Sequence, residues 1–158
     1  MSSPAVGTVN WLRPEEMLAW RSYVETNADL MAALERDLAT TGLNLGDYQV
    51  LVFLSESPER ALRMCDLAGR LQLSPSGLTR RLDGLVRSGL VERRGSDSDR
   101  RVMLAALTPK GVRLLEESAP IHVASVRRRM IDLLDADELE VIATVFQKIR
   151  TALEKETE

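Results

Sequence analysis

Four arginines bracket the stretch GSDSD: Arg93 and Arg94 precede Gly95, and Arg100 and Arg101 follow Asp99. A guanidinium is permanently charged and carries its donors in a planar fork, so it pairs bidentately with phosphate, carboxylate or the edge of guanine. Crowding four of them at one turn incurs a repulsion that gives the fold nothing in return, which points to an anionic partner outside the chain. The whole sequence carries a formal net charge of -3. Between Arg70 and Arg113, however, ten basic residues stand against four acidic ones, so this window is +6 and the remainder -9. A basic segment in an acidic protein fits a polyanion met by one face only. A solvated basic surface is the alternative that charge alone leaves open.

Other chemistries are poorly served. One histidine and one cysteine cannot build a metal site of the usual nitrogen and sulfur ligands within one chain, and no acidic cluster has loop-like metal spacing. There is no glycine-rich phosphate loop and no nucleophile elbow, so neither enzymatic activity nor a cofactor is expected. His122 falls on an apolar helical stripe and reads as a satisfied or interface histidine. Cys65 reads as a packing residue, and a lone cysteine fits a reducing cytoplasm. No apolar run approaches the roughly 20 residues of a membrane span, and the first ten residues lack the pattern of a signal peptide. With 158 residues, 44% hydrophobic and 28% charged, the chain has the composition of one globular domain with extensions.

The elements that must hold the arginines can be read from periodicity and caps. Arg13 to Thr41 reads as a long helix, with Pro14, Glu15 and Glu16 at its start and Gly42 at its end. Met17, Trp20, Val24, Met31, Leu34 and Leu38 alternate at spacings of three and four, with Asn27 filling the one polar slot, which makes a seam for another helix. A second seam closes the chain: Asp135 and Glu138 form a capping box, followed by Leu139, Ile142, Phe146, Ile149 and Leu153. Together these helices have more apolar surface than a small domain can cover, and association between subunits is the economical outlet. Between them, Asp47 caps a short helix through Leu54, and Met64 to Gln72 forms another. In "LSPSGLTRRLDGLVRSGL", Ser74 is an N-cap, Pro75 a first helical residue and Gly89 a stop. Leu78, Leu82 and Leu85 form the apolar stripe of that helix, with Ser76, Thr79, Arg80, Asp83 and Arg87 on the other side. A short helix, a turn and an amphipathic helix with a polar outer face make a helix-turn-helix. Leu90–Arg94 and Val102–Leu107 then read as two strands of a ribbon, or wing. Thr108-Pro109 caps a helix running to about Leu134, which Pro120 is expected to kink.

The stretches "LSPSGLTRRLDGLVRSGLVERR" and "DRRVMLAALTPKG", adjacent and in order, resemble the multiple-antibiotic-resistance-regulator (MarR) family of winged helix-turn-helix transcription factors. The second carries that family's wing pattern: Asp-x-Arg, a strand, then Leu-Thr-x-x-Gly. The resemblance extends over nearly all of the chain beyond Leu12. It implies a mainly α fold with a small β-wing, in which a winged helix-turn-helix core is flanked by N- and C-terminal dimerisation helices. It also implies a homodimer on pseudo-palindromic double-stranded DNA operators, usually a repressor released by a small ligand. Departures are Gly77 and Gly84 inside the recognition helix, each costing about 1 kcal/mol relative to alanine, and a wing tip without the prolines that relatives often carry.

On this basis residues 1–12 are expected to be a flexible segment, 13–45 an N-terminal dimerisation helix, 46–108 the DNA-binding region and 109–158 the helices completing the dimerisation layer. Ser74, Ser76 and Thr79 suit phosphate and base-edge contacts, and Arg80 a guanine. Arg81 points to phosphate or to solvent. In the wing, Arg101 is the first choice for the minor groove and Arg100 the next, with Asp99 holding Arg101 by a bidentate ion pair. Arg93 and Arg94 alternate along a strand, so at most one faces DNA; Arg94 is assigned. Met17, Val24, Leu139, Ile142, Phe146 and Ile149 are assigned to dimerisation. Trp20, Arg21, Tyr23 and Tyr48 are the candidate wall for a small aromatic or anionic effector, with ordinary core packing as the alternative. No membrane partner is expected. A helical protein-binding adaptor without DNA binding is the competing function; it would explain the seams but not the wing.

Overall fold

The computed structural model describes residues 9–97, 99 and 101–156, so Arg100, Ser98 and most of the 1–12 segment lie outside the described residues. The chain divides into two compact units, one extending to Ala33 and the other beginning at Leu34.

The first unit contains most of helix α1 (Pro14–Leu38). Its start is stitched by Glu16, whose carboxylate accepts from the Arg13 backbone N–H at 2.9 Å and from the Arg13 guanidinium at 2.7 Å. These hydrogen bonds hold the Glu16 carboxyl below its ordinary value. Trp11, Leu18, Trp20 and Val24 are exposed.

The second unit takes up α1 in its last turns, which pass through a 3-10 turn, Ala39–Thr41, to Gly42. Gly42 sits at φ 84°, the left-handed position that ends helices at glycine. Then follow α2 (Leu45–Ser55), β1 (Ala61–Arg63), α3 (Met64–Leu71), α4 (Pro75–Arg87), β2 (Val91–Gly95), β3 (Met103–Leu107), α5 (Pro109–Arg129) and α6 (Ala136–Glu156). The expected caps at Ser74 and Thr108 form, accepting from Gly77 and Gly111 N–H at 3.1 and 3.0 Å. The capping box closes in both directions, with Asp135 and Glu138 exchanging bonds of 3.0 and 2.9 Å.

Several expectations are corrected. The N-cap of α2 is Asn44, whose Oδ1 accepts from Asp47 N–H at 2.7 Å; Asp47 lies inside the first turn. The ribbon is part of a three-stranded antiparallel sheet of order β1-β3-β2, with Ala61 opposite Ala106 and Val91 opposite Leu107. Helix α5, which contains Pro120, stops at Arg129 and not near Leu134, before a 3-10 turn that leaves Leu133 exposed. Cys65 is exposed, with Sγ 3.7 Å from Asp66 Oδ1, and is not a packing residue. His122 is not satisfied: its Nδ1 is buried without a hydrogen-bond partner among the described residues, and its ring lies 4.7 Å from that of Tyr48. Burial pushes His122 down from the ordinary histidine value and Tyr48 up from that of tyrosine.

One core joins these pieces. Leu38 of α1, Leu51 and Leu54 of α2, Leu67 of α3, Leu78 and Leu82 of α4, and Ala105 of β3 are fully or almost fully buried in a single cluster. A polar clamp ties the end of α1 to α5. Asp37 accepts from Ser125 at 2.8 Å, from Arg128 at 2.8 Å and from both terminal guanidinium nitrogens of Arg129. The Arg129 hydrogen bonds, then Ser125, bring the Asp37 carboxyl from 3.8 down to about 2. A carboxyl depressed in the folded state contributes stability above its unfolded value, and loses it as pH falls toward the folded one. Urea midpoints of wild type and Asp37→Asn are therefore expected to differ most above pH 4 and to converge as pH falls toward about 2. A gap that stays constant over that range would refute the clamp as the cause.

Candidate nucleic-acid interface

The geometry begins with the turn between α3 and α4. Gln72 adopts φ 52°, a left-handed position, and Leu73 N–H bonds back to the Ala68 carbonyl at 3.0 Å, so the chain reverses within three residues. Pro75 then opens α4 with its φ already suited to a helix. Leu78, Leu82 and Leu85 anchor α4 in the core, while Ser74, Ser76, Thr79 and Arg80 stay exposed near its N-terminus. Ser74 Oγ and Ser76 Oγ are 3.2 Å apart, and Thr79 Oγ1 donates to the Pro75 carbonyl at 2.9 Å. Arg80 has no ion-pair partner among the described residues. This end of α4 offers hydroxyls, a guanidinium and a positive helix terminus, which suits phosphate oxygens and base edges.

Arg81, expected to point to phosphate or solvent, is turned back into the protein. Its Nη1 donates to Asp47 Oδ1 at 3.1 Å and Asn44 Oδ1 at 3.2 Å, both in the first turn of α2 or its cap. The two strand arginines separate as alternation requires. Arg93 Nη2 clamps α4, donating to Asp83 at 2.8 Å and to the Thr79 carbonyl at 3.2 Å. Arg94 is exposed and pairs with Glu59 at 3.8 Å, an exposed pair worth little to stability.

At the wing tip, Ser96 N–H bonds to the Val102 carbonyl and Val102 N–H to the Asp99 carbonyl, each at 2.9 Å. Asp99 does not form the expected bidentate pair with the Arg101 guanidinium. Its carboxylate instead accepts from the Arg101 backbone N–H at 2.9 Å, which shapes the turn and leaves the exposed Arg101 without an ion pair among the described residues. A short Asx-type bond satisfies the carboxylate locally, with no need to order a long side chain. Lys110 donates to the Ser88 carbonyl at 2.7 Å and caps the end of α4.

Of the residues assigned to an effector wall, Trp20 and Tyr23 belong to the first unit, with ring centroids 6.1 Å apart, and Arg21 is exposed there. Tyr48 is buried in the second unit, against His122. Along α6, Leu139 and Ile142 are half-buried, and Phe146 and Ile149 are exposed; in the first unit Met17 is half-buried and Val24 exposed. Sequence reasoning missed Asn44, Gly46 and the true role of Asp47. The cap-forming types at 44 and 47 were visible, but their partner lies 34 residues away from Asp47.

A reversed helix pair whose second helix keeps its polar end exposed, followed by an arginine-bearing antiparallel ribbon, is a winged helix-turn-helix domain. The chain belongs to the MarR family of transcriptional regulators. The family's model matches residues 41–102. AbsC, a MarR family transcriptional regulator from Streptomyces coelicolor, is 39% identical, with 93% of this chain and 99% of that one covered at a TM-score of 0.90. Sco3205, a MarR family regulator from the same organism solved in complex with DNA, is 35% identical over 90% of this chain and 94% of its own, at a TM-score of 0.86. CouR from Rhodococcus jostii RHA1, solved bound to p-coumaroyl-CoA, is 27% identical over 85% and 92% of the two chains, at a TM-score of 0.73. No helix among the described residues is long and apolar enough to cross a membrane.

Proposed function

We propose that the chain is a homodimeric, sequence-specific DNA-binding regulator in the cytoplasm, acting as a repressor that a small ligand releases, and that it is not an enzyme. The observation that carries this is the division of α4 into a buried leucine stripe and an exposed end bearing Ser74, Ser76, Thr79 and Arg80, beside a wing bearing Arg94 and Arg101. The α4 end enters the major groove, and Arg101 enters the minor groove, where negative potential is concentrated. Arg100 serves as a further wing cation, and Asp99 shapes the turn. Residues 46–108 form the reading head, and 13–45 with 109–158 the dimerisation layer, so half-sites lie about 10 base pairs apart on one face of the duplex. The effector is a small aromatic or anionic molecule; the ligand named for CouR, an aromatic thioester bearing phosphates, supports that class.

Gel shifts with DNA upstream of its own gene test the proposal, and no retardation at any site with the dimer intact would favour a protein-binding adaptor. The two arginines should fail differently. Arg80→Ala is expected to cost about 1–3 kcal/mol and to relax preference at one position of each half-site. Arg101→Ala should instead weaken all duplexes alike, with the slope of log affinity against log salt smaller by about 1. A uniform loss in Arg80→Ala would reduce that residue to phosphate duty, and wild-type binding by Arg101→Ala would remove it from the groove.

A further inference from the structure

The cluster around Arg81 is closed on itself. Asn44 Oδ1 accepts from Asp47 N–H at 2.7 Å and from Arg81 at 3.2 Å, while Asn44 Nδ2 donates to Asp47 Oδ2 at 2.8 Å. Asp47 Oδ1 takes the second Arg81 bond at 3.1 Å, so both carboxylate oxygens are used. The guanidinium lies against the backbone of α2 at Gly46, where a Cβ would stand 2.1 Å from Nη1 and 2.5 Å from Cζ. Glycine lowers helix stability relative to alanine, so the first turn of α2 gives up some stability at Gly46 to leave room for the guanidinium. Arg81 and Asp47 are 31% and 24% exposed, so the guanidinium is largely withdrawn from solvent onto the start of α2.

We infer that Arg81 is a positioning residue for DNA reading: seated over Gly46 on Asp47, it fixes the rotation of α4 about its own axis. The inference rests on the proposal that α4 reads bases. Apolar contacts along the leucine stripe are non-directional and permit small rotations. A helix is about 5–6 Å in radius with its side chains, so a rotation of about 10° moves a side-chain tip by roughly 1 Å. That displacement exceeds the range of roughly 0.5 Å within which good hydrogen-bond distances fall. Arg80 and Arg81 are about 100° apart on the helix, so clamping one aims the other. Asp83 and Thr79, which Arg93 grips from the wing, are each about 160° from Arg81 around the axis. Two guanidiniums therefore hold α4 from nearly opposite sides.

The test begins by enriching duplexes from a random library with the wild-type protein, then reads the ratio of Kd for a scrambled duplex to Kd for the enriched one. Gly46→Ala, Asp47→Ala and Arg81→Gln should each lower that ratio about tenfold, the scale of one misaligned base contact. The Asp47→Ala/Arg81→Gln double variant should fall no further than either single one, because one latch is lost. Asp47→Ala and Arg81→Gln change net charge in opposite directions, so a long-range charge effect would move them apart instead of together. Gly46→Ala should lower the ratio with its thermal midpoint unchanged or raised, which a merely structural role would not produce. Wild-type ratios in Gly46→Ala and Asp47→Ala overturn the inference. So does a salt slope smaller by about 1 in Arg81→Gln alone, which makes Arg81 a phosphate contact. If the wild type enriches no sequence, base reading by α4 itself fails; if it does and the variants match it, only the latch fails.

Discussion

Replacing Ile142 and Phe146 together with aspartate is expected to turn the proposed dimer into a monomer and to weaken operator binding by at least about 100-fold, the scale of avidity lost when two linked sites become one. The reason lies in α6. None of its 21 residues is buried, although Val141, Val145, Phe146, Ile149 and Leu153 recur along it at helical spacing. Most of a helix's stability in a protein comes from packing an amphipathic face against a neighbour. Its capping box and the acidic first turn of Asp137 and Glu138 support its start, but they cannot hide that surface. A second copy of the same helix can. Two carboxylates placed in such a seam would have to be desolvated without partners, which costs several kcal/mol each. Sedimentation and gel shifts on the same preparation check both halves of the expectation. A variant that sediments as a monomer yet keeps full affinity, or one that stays a dimer, would remove α6 from the dimer interface.

Punctuation residues carried most of the legible fold. Ser74-Pro75 and Thr108-Pro109 each combine a hydroxyl cap with a first-turn proline, and both helices begin where that chemistry requires. Asn44 and Asp47 were harder because both are cap-forming types and lie three apart; only the hydrogen bond from Asp47 N–H to Asn44 Oδ1 decides between them. Strand β1 has three residues, too few for alternation to register, and exists because β3 offers it a partner more than 40 residues later. Among the arginines, alternation correctly separated Arg93 from Arg94. It could not foresee that Arg81 would fold back to Asp47, because that contact depends on how two helices pack. Asp99 differs for a related reason: the Asp-x-Arg pattern fits a side-chain pair and a backbone turn equally well, and the hydrogen bond from Arg101 N–H to the Asp99 carboxylate decides for the turn.

Gly111→Ala is expected to be the most damaging single methyl addition in the described chain. A Cβ at that position would stand 2.2 Å from the Leu90 carbonyl oxygen and 2.7 Å from Leu107 Cδ1. The carbonyl cannot simply move aside, because it already accepts from Thr108 N–H and Thr108 Oγ1, each at 3.1 Å. Those bonds fasten the start of α5 to the base of the wing, and Gly111 is itself bound to the Thr108 hydroxyl through its N–H at 3.0 Å. Making room for the methyl therefore means separating α5 from β2 or breaking the cap. Overpacking of this kind costs about 1–3 kcal/mol or more. At about 2–4 °C per kcal/mol for a chain of this size, the thermal midpoint should drop by roughly 2–12 °C. Gly84→Ala is the internal control. It lies inside α4 with nothing within 4 Å of its would-be Cβ, so the substitution should stabilise by about 0.5–1 kcal/mol through helix propensity alone. Thermal unfolding of the two variants beside wild type should thus give shifts of opposite sign. If Gly111→Ala melts with the wild type, the close approach of α5 to Leu90 does not hold the wing in place. If Gly84→Ala falls instead of rising, the open space on α4 is already filled by something, and a second copy of the chain would be the first to examine.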